Sequence, residues 1–141
     1  MPDKKSSEED MNRKVMQAQI LQANLQMLRE RAQKIVEHYQ ELDNTKRALE
    51  DLGKTKNSEA LVPVGSGSYV KGSVSDTSKV IVSIGANIAV KKSGADAVKL
   101  MEERMDEAQR ILGEIVEQEQ SLAAQLQRLQ PELQDMASQG N

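Results

Sequence analysis

Apolar residues recur along the first third of the chain at alternating steps of three and four. The series is Met11, Lys14, Ala18, Leu21, Leu25, Leu28, Ala32, Ile35, Tyr39, Leu42, Lys46 and Leu49. Only the two lysines break it. Residues three and four apart share one helix face, so nearly six heptads of this pattern predict a coiled-coil helix. A second series runs through Val98, Met101, Met105, Ala108, Leu112, Ile115, Glu119, Leu122, Leu126, Leu129, Leu133 and Met136, and only Glu119 breaks it. Punctuation sets the expected bounds. Ser6 precedes Glu9 as in a capping box, and Glu8, Glu9 and Asp10 suit the positive end of a helix. Gly53 stands where a left-handed C-cap is favoured, with a polar connector over 54–57. Ser93, with Asp96 three residues on, predicts the second start. Pro131 removes a backbone donor and is expected to weaken or kink the last turns. Residues 1–5 and 137–141 are expected to be loose.

Between the two series the period changes. Four short runs rich in Val and Ile, at 58–64, 69–74, 79–84 and 87–91, predict strands. Gly65-Ser66-Gly67, Ser75-Asp76-Thr77-Ser78 and Gly85-Ala86 are turn and loop signals. Pro63 assigns the first strand to an edge or its own end. The natural pairing is first with second and third with fourth, giving two β-hairpins. Isolated hairpins are marginal in water, and their free edges invite strands of other chains. The middle stretch is therefore expected to be an assembly surface in an obligate oligomer.

The two seams decide the topology. If the middle folds the chain back, seam positions pair with a constant index sum: 49 + 98 = 147 and 11 + 136 = 147. All twelve rungs obey it, and small residues meet large ones, as where Ala18 faces Leu129 and Tyr39 faces Ala108. The expected fold is α+β, dominated by a long antiparallel two-helix coiled coil about 60 Å in length. Two β-hairpins close one end. One unit over 1–141 is expected, with helices over 6–53 and 93–138 and the hairpins over 57–92.

Composition narrows the chemistry. The 141 residues include no Cys, Trp or Phe and a single His, so neither a disulfide framework nor a Cys- or His-cluster metal site is available. A net charge of −3 argues against a nucleic-acid partner. No apolar run approaches the roughly 20 residues of a membrane span, and no signal peptide opens the chain. A cytoplasmic protein is expected. The glycines do not complete a nucleotide motif: Gly67-x-x-x-x-Gly72 is followed by Ser73 where a P-loop has lysine. No catalytic, cofactor or metal residue is predicted, and His38 beside Tyr39 reads as solvent-facing. Glu119 is read as reaching solvent or specifying register.

The middle motif carries a resemblance. Val62-Pro63-Val64-Gly65-Ser66-Gly67-Ser68-Tyr69-Val70 and Val80-Ile81-Val82-Ser83-Ile84-Gly85-Ala86-Asn87-Ile88-Ala89-Val90 resemble the two hairpins of alpha-type subunits of archaeal prefoldin, the GimC family. Beta-type subunits of that family have one hairpin. The resemblance implies a hexamer of two alpha-type and four beta-type subunits, with the hairpins joined into a double β-barrel platform. It also implies ATP-independent chaperone work: binding unfolded proteins at the coiled-coil tips and delivering them to a group II chaperonin. The expected oligomerisation residues are Leu61, Val62, Val64, Tyr69, Val70, Val80, Ile81, Val82, Ile84, Ile88 and Val90.

Such work needs apolar surface outside the seam. Met16, Ile20, Ala23 and Met27 are spaced four, three and four apart on one face, and residues 15–28 carry no charge. Methionine adapts to varied shapes, and exposed apolar patches tend to mark interaction sites. Poor zipping at Lys14 and Pro131 is expected to splay that end and expose seam residues. The expected client contacts are Met11, Val15, Met16, Ile20, Met27, Leu129, Leu133 and Met136. The competing reading of the stripe is packing on a neighbouring helix, and the competing function is a coiled-coil scaffold or tether without unfolded clients.

Overall fold

The computed structural model describes residues 4–54 and 58–139 of the chain. The order is α1 (Lys4–Lys54), β1 (Ser58–Gly65), β2 (Ser68–Val74), β3 (Lys79–Gly85), β4 (Ile88–Ser93) and α2 (Gly94–Gln139). The contacts divide into two compact units, residues 1–37 with 109–141, and residues 38–108.

In the first unit α1 and α2 run antiparallel. Lys14 Nζ lies 3.1 Å from Glu132 Oε2, while residues 24–31 of α1 share a groove with Gln118 and Leu122 of α2. In the second unit Lys46 Nζ lies 3.4 Å from Glu102 Oε1, and Leu42 packs with Met101. The index sums of these ion pairs, 14 + 132 = 146 and 46 + 102 = 148, fall one residue either side of the expected 147. Every residue of both seams is buried or half-buried. The two lysines that break the apolar pattern reach past the seam to a carboxylate beside their rung partner. Lys14 therefore does not splay its end: the half-buried amine closes a cross-helix bridge there, and Met11 and Met136 are half-buried too.

The helix bounds differ from expectation at their ends. α1 begins before Ser6, which lies within the helix because nothing from Lys4 to Ser7 breaks a turn. Gly53 does not adopt a left-handed conformation, and the helix runs on to Lys54; residues 1–3, the rest of the expected connector (55–57) and the final two residues lie outside the described residues. α2 starts as the capping pattern predicts, the Asp96 amide donating to Ser93 Oγ at 3.1 Å. It continues through Pro131 to Gln139. A proline inside a helix removes one backbone bond, and the flanking seam residues Leu129 and Leu133 still hold that turn against α1.

Each hairpin is a separate two-stranded antiparallel sheet. Val62 pairs with Val70, and Val82 with Val90. The turns are the same device used twice, 20 positions apart. Register shifts between Pro63 and Gly65, and again between Ser83 and Gly85, leaving one bulged residue in each first strand. Gly65 (φ 121°) and Gly85 (φ 102°) take up the left-handed backbone that follows. Two-residue turns complete the hairpins with positive φ at both positions: Ser66 (49°) and Gly67 (75°), then Ala86 (51°) and Asn87 (61°). That geometry matches the right-handed strand twist.

Among the described residues the second hairpin is the one anchored on the helices. Val82, 6% exposed, forms a cluster with Leu42, Ala97 and Met101, and Val80 packs against it with Leu49, Leu100 and Met105. Strand residues alternate faces, so Val80 and Val82 face the helices while Ile81 between them is 69% exposed. Burying one such side chain is worth about 1.5–3 kcal/mol. Arg104 adds a polar tie by donating from its guanidinium to the Ser83 carbonyl at 3.0 Å. In the loop before β3, Asp76 accepts from the Ser78 hydroxyl at 2.5 Å and the Ser78 amide at 2.9 Å. These two bonds, the side-chain one foremost, hold its carboxyl below the usual range.

Two outcomes follow. Glu119, half-buried between seam residues Ile115 and Leu122, costs stability, so Glu119→Leu should raise the thermal midpoint followed by circular dichroism by about 4 °C, equivalent to about 1 kcal/mol. A lower midpoint would show that the carboxylate stabilises the seam. Replacing Ala86-Asn87 by Asn-Gly (Ala86→Asn with Asn87→Gly) removes a left-handed alanine and should add about 0.5–1 kcal/mol in urea unfolding.

Candidate functional site

The first unit exposes a stripe of large apolar side chains. Met16, Ile20 and Met27 are 62%, 55% and 66% exposed, with Ala23 exposed between them. Their exposure follows from helix geometry. The seam takes the residues at steps of three and four from Met11, and a stripe set off by about a quarter turn or more cannot also face α2. Val15 beside it is 38% exposed. Residues 15–28 contain no ionisable side chain, and the same holds for 120–127 of α2 in this unit. Beside Met27 lies a groove of about 310 Å³ lined by Asn24, Met27, Leu28, Arg31, Gln118 and Leu122. An apolar ridge, an adjoining groove and a flexible thioether at their junction can accept apolar side chains of varied shape without directional chemistry.

The structure separates the sequence-predicted contact residues into two sets. Val15, Met16, Ile20 and Met27 are exposed. Leu129 is only 7% exposed, and Met11, Leu133 and Met136 are half-buried seam residues. These four are engaged in the closed seam, which the Lys14–Glu132 bridge crosses at this end.

The second exposed apolar surface belongs to the hairpins. On β1–β2 both faces are open: Leu61, Val64 and Tyr69 are 64%, 62% and 60% exposed, and Val62 and Val70 about half exposed. On the second hairpin Ile81, Ile84 and Ile88 are exposed. Val80, Val82 and Val90 are not: Val82 is buried and the other two half-buried on the face toward the helices. Val80 and Val82 pack within the chain, against the helix cluster, and Val90 shares their face across its pair with Val82. The sequence reading missed the helix side of this contact, formed by Ala97, Leu100 and Arg104. Their spacing of three and four marks a second face on α2, but a small residue and a charged one leave it without an apolar signal in the sequence.

Among the described residues no group of three or more His, Cys, Asp or Glu side chains could hold a metal ion, and no helix is long and apolar enough to cross a membrane.

Comparison with known proteins agrees with this geometry. The family model described as Prefoldin subunit matches residues 21–139. The prefoldin subunit alpha of Nitrosopumilus maritimus is 30% identical over 122 residues, covering 86% of this chain and 84% of that protein. The prefoldin subunit alpha of Pyrococcus horikoshii is 32% identical over 78% of this chain and 73% of that one. Among solved structures, a chain of filamentous PFD from Methanocaldococcus jannaschii aligns with a TM-score of 0.72 at 24% identity, covering 81% of this chain and 95% of that chain. Two helices carrying two antiparallel hairpins, with an alpha-type relative spanning most of the sequence, place the chain in the prefoldin family as an alpha-type subunit.

Proposed function

We propose that the chain is an ATP-independent holding-chaperone subunit. In this reading the uncovered faces of β1–β2 and β3–β4 close against hairpins of beta-type subunits. The result is a β-barrel platform in a hexamer of two alpha-type and four beta-type subunits. The stripe of Met16, Ile20, Ala23 and Met27, with Val15 beside it, holds unfolded polypeptide in the cytoplasm for transfer to a group II chaperonin. The observation that carries the reading is the stripe itself. Three large apolar side chains stay more than half exposed on a segment without charge. Burying a client side chain there gains about 25 cal/mol per Å² with no fixed geometry required, which suits a clientele of unfolded chains. Eight hairpin residues remain as subunit contacts: Leu61, Val62, Val64, Tyr69, Val70, Ile81, Ile84 and Ile88.

Two measurements test the halves of this reading separately. With Ile20→Ser and Met27→Ser, about tenfold more chain should be needed to suppress light scattering by a denatured test protein, while the mass of the complex with beta-type subunits is unchanged. Unaltered suppression would favour a scaffold without clients. Leu61→Asp places an unpaired charge on a face that must be buried, so the complex should lose mass by light scattering while the chain keeps its helical signal. A complex of full mass would remove the Leu61 face from the assembly surface.

A further inference from the structure

The chain has no cysteine, so its seven methionines are its only sulfur atoms. They differ sharply in access. Met16 and Met27 are 62% and 66% exposed, whereas Met101 is 6% exposed and Met11, Met105 and Met136 are half-buried in the seam. Among the described residues these are the two open thioethers, and they are two of the three large side chains of the apolar stripe. From these facts we infer that Met16 and Met27 form a peroxide-sensitive modification site that switches the stripe between an apolar and a polar state. The inference rests on the client-holding reading given above and adds a means of regulating it.

The chemistry is a two-electron oxygen transfer. A sulfur lone pair attacks one oxygen of hydrogen peroxide or an alkyl hydroperoxide. The S–O bond forms as the O–O bond breaks, and the second oxygen leaves as water or alcohol after taking up the proton. Sulfur is oxidised to the sulfoxide and the peroxide is reduced. Reversal takes two thiols of a reductase, which become a disulfide while the sulfoxide oxygen departs as water. No thiol of this chain competes for the oxidant or supplies the reductant.

The consequence follows from position. A sulfoxide is a strong hydrogen-bond acceptor and holds water where the thioether shed it. Met16 and Met27 flank Ile20 and Ala23, so oxidation at both ends leaves only one large apolar side chain on the stripe. Because both side chains lie off the seam, neither sulfoxide enters the packing between α1 and α2. The change should therefore remove holding without unfolding the helices, unlike oxidation of Met101, which would break the cluster beneath β3.

The test uses the full chain assembled with its beta-type subunits, hydrogen peroxide as oxidant and denatured citrate synthase as client. Peptide mass mapping over time should show one oxygen gained first at Met16 and Met27 and last at Met101. At the point where only those two are converted, the chain concentration needed for half suppression of aggregation should rise by about threefold or more. Complex mass and helical signal should be unchanged, and the two methionine sulfoxide reductases together, one for each sulfoxide epimer, should restore the starting value. A chain with Met16→Leu and Met27→Leu has no thioether on the stripe, so its holding, referred to its own level before treatment, should not change on peroxide. Undiminished holding by the doubly oxidised wild-type chain would overturn the inference while leaving the chaperone reading in place. Equal loss in the leucine variant would also overturn it. If the untreated chain holds no client, both fall.

Discussion

A two-stranded hairpin has two faces, and of the four that the two hairpins present the described residues cover one. The helices reach the face of β3–β4 that carries Val80 and Val82. Leu61, Val62, Tyr69 and Val70 leave β1–β2 apolar and open on both sides. Two strands cannot bury two faces against each other, because their side chains project away from the plane they share. The uncovered apolar area is thus a debt of topology rather than a flaw of composition. It leaves these faces open to strands of other chains.

The helices are under the opposite constraint. Their seams have equal length and nearly every rung is apolar, so they satisfy each other within the chain and leave the remaining faces free. That freedom lets residues 15–28 lack charge without sacrificing the pairing of α1 with α2. A globular core could not expose Met16, Ile20 and Met27 so cheaply, since its side chains are fixed by contacts on all sides. The apolar surfaces consequently fall into two classes. Hairpin surfaces are flat, rich in branched residues and backed by twisted strands, which suits fixed partners. The helix stripe is built on thioethers and one isoleucine, which suits partners of no fixed shape.

The tie between hairpin and helix is narrower than either surface. It consists of Val80 and Val82 on the cluster of Leu42, Ala97 and Met101, with the Arg104 guanidinium on the Ser83 carbonyl. Ala97 is wholly buried, which explains why so small a residue stands there: a larger side chain would hold β3 off the helix. The repeated turn, with its bulge before Gly65 and Gly85, twists both hairpins by the same local means. Only the second is held by its own chain.

Periodicity alone determined the seams, their register and the four strands, because each rests on spacing between near neighbours and on turn residues whose conformational preferences are local. The Ser93 cap was legible for the same reason. The stripe was legible as a set sharing one face, since helix geometry fixes which residues lie together. Tertiary structure decided what the spacing left open. An alternating strand names two faces without saying which meets a helix, so Val80, Val82 and Val90 could not be told apart in role from Ile81. A seam lysine marks a weak rung in sequence, but only the approach of Glu132 gave Lys14 a partner across a seam in which Leu129 and Leu133 stay covered. Contacts between residues far apart in the chain are absent from its local pattern, and those contacts chose which apolar side chains remain exposed.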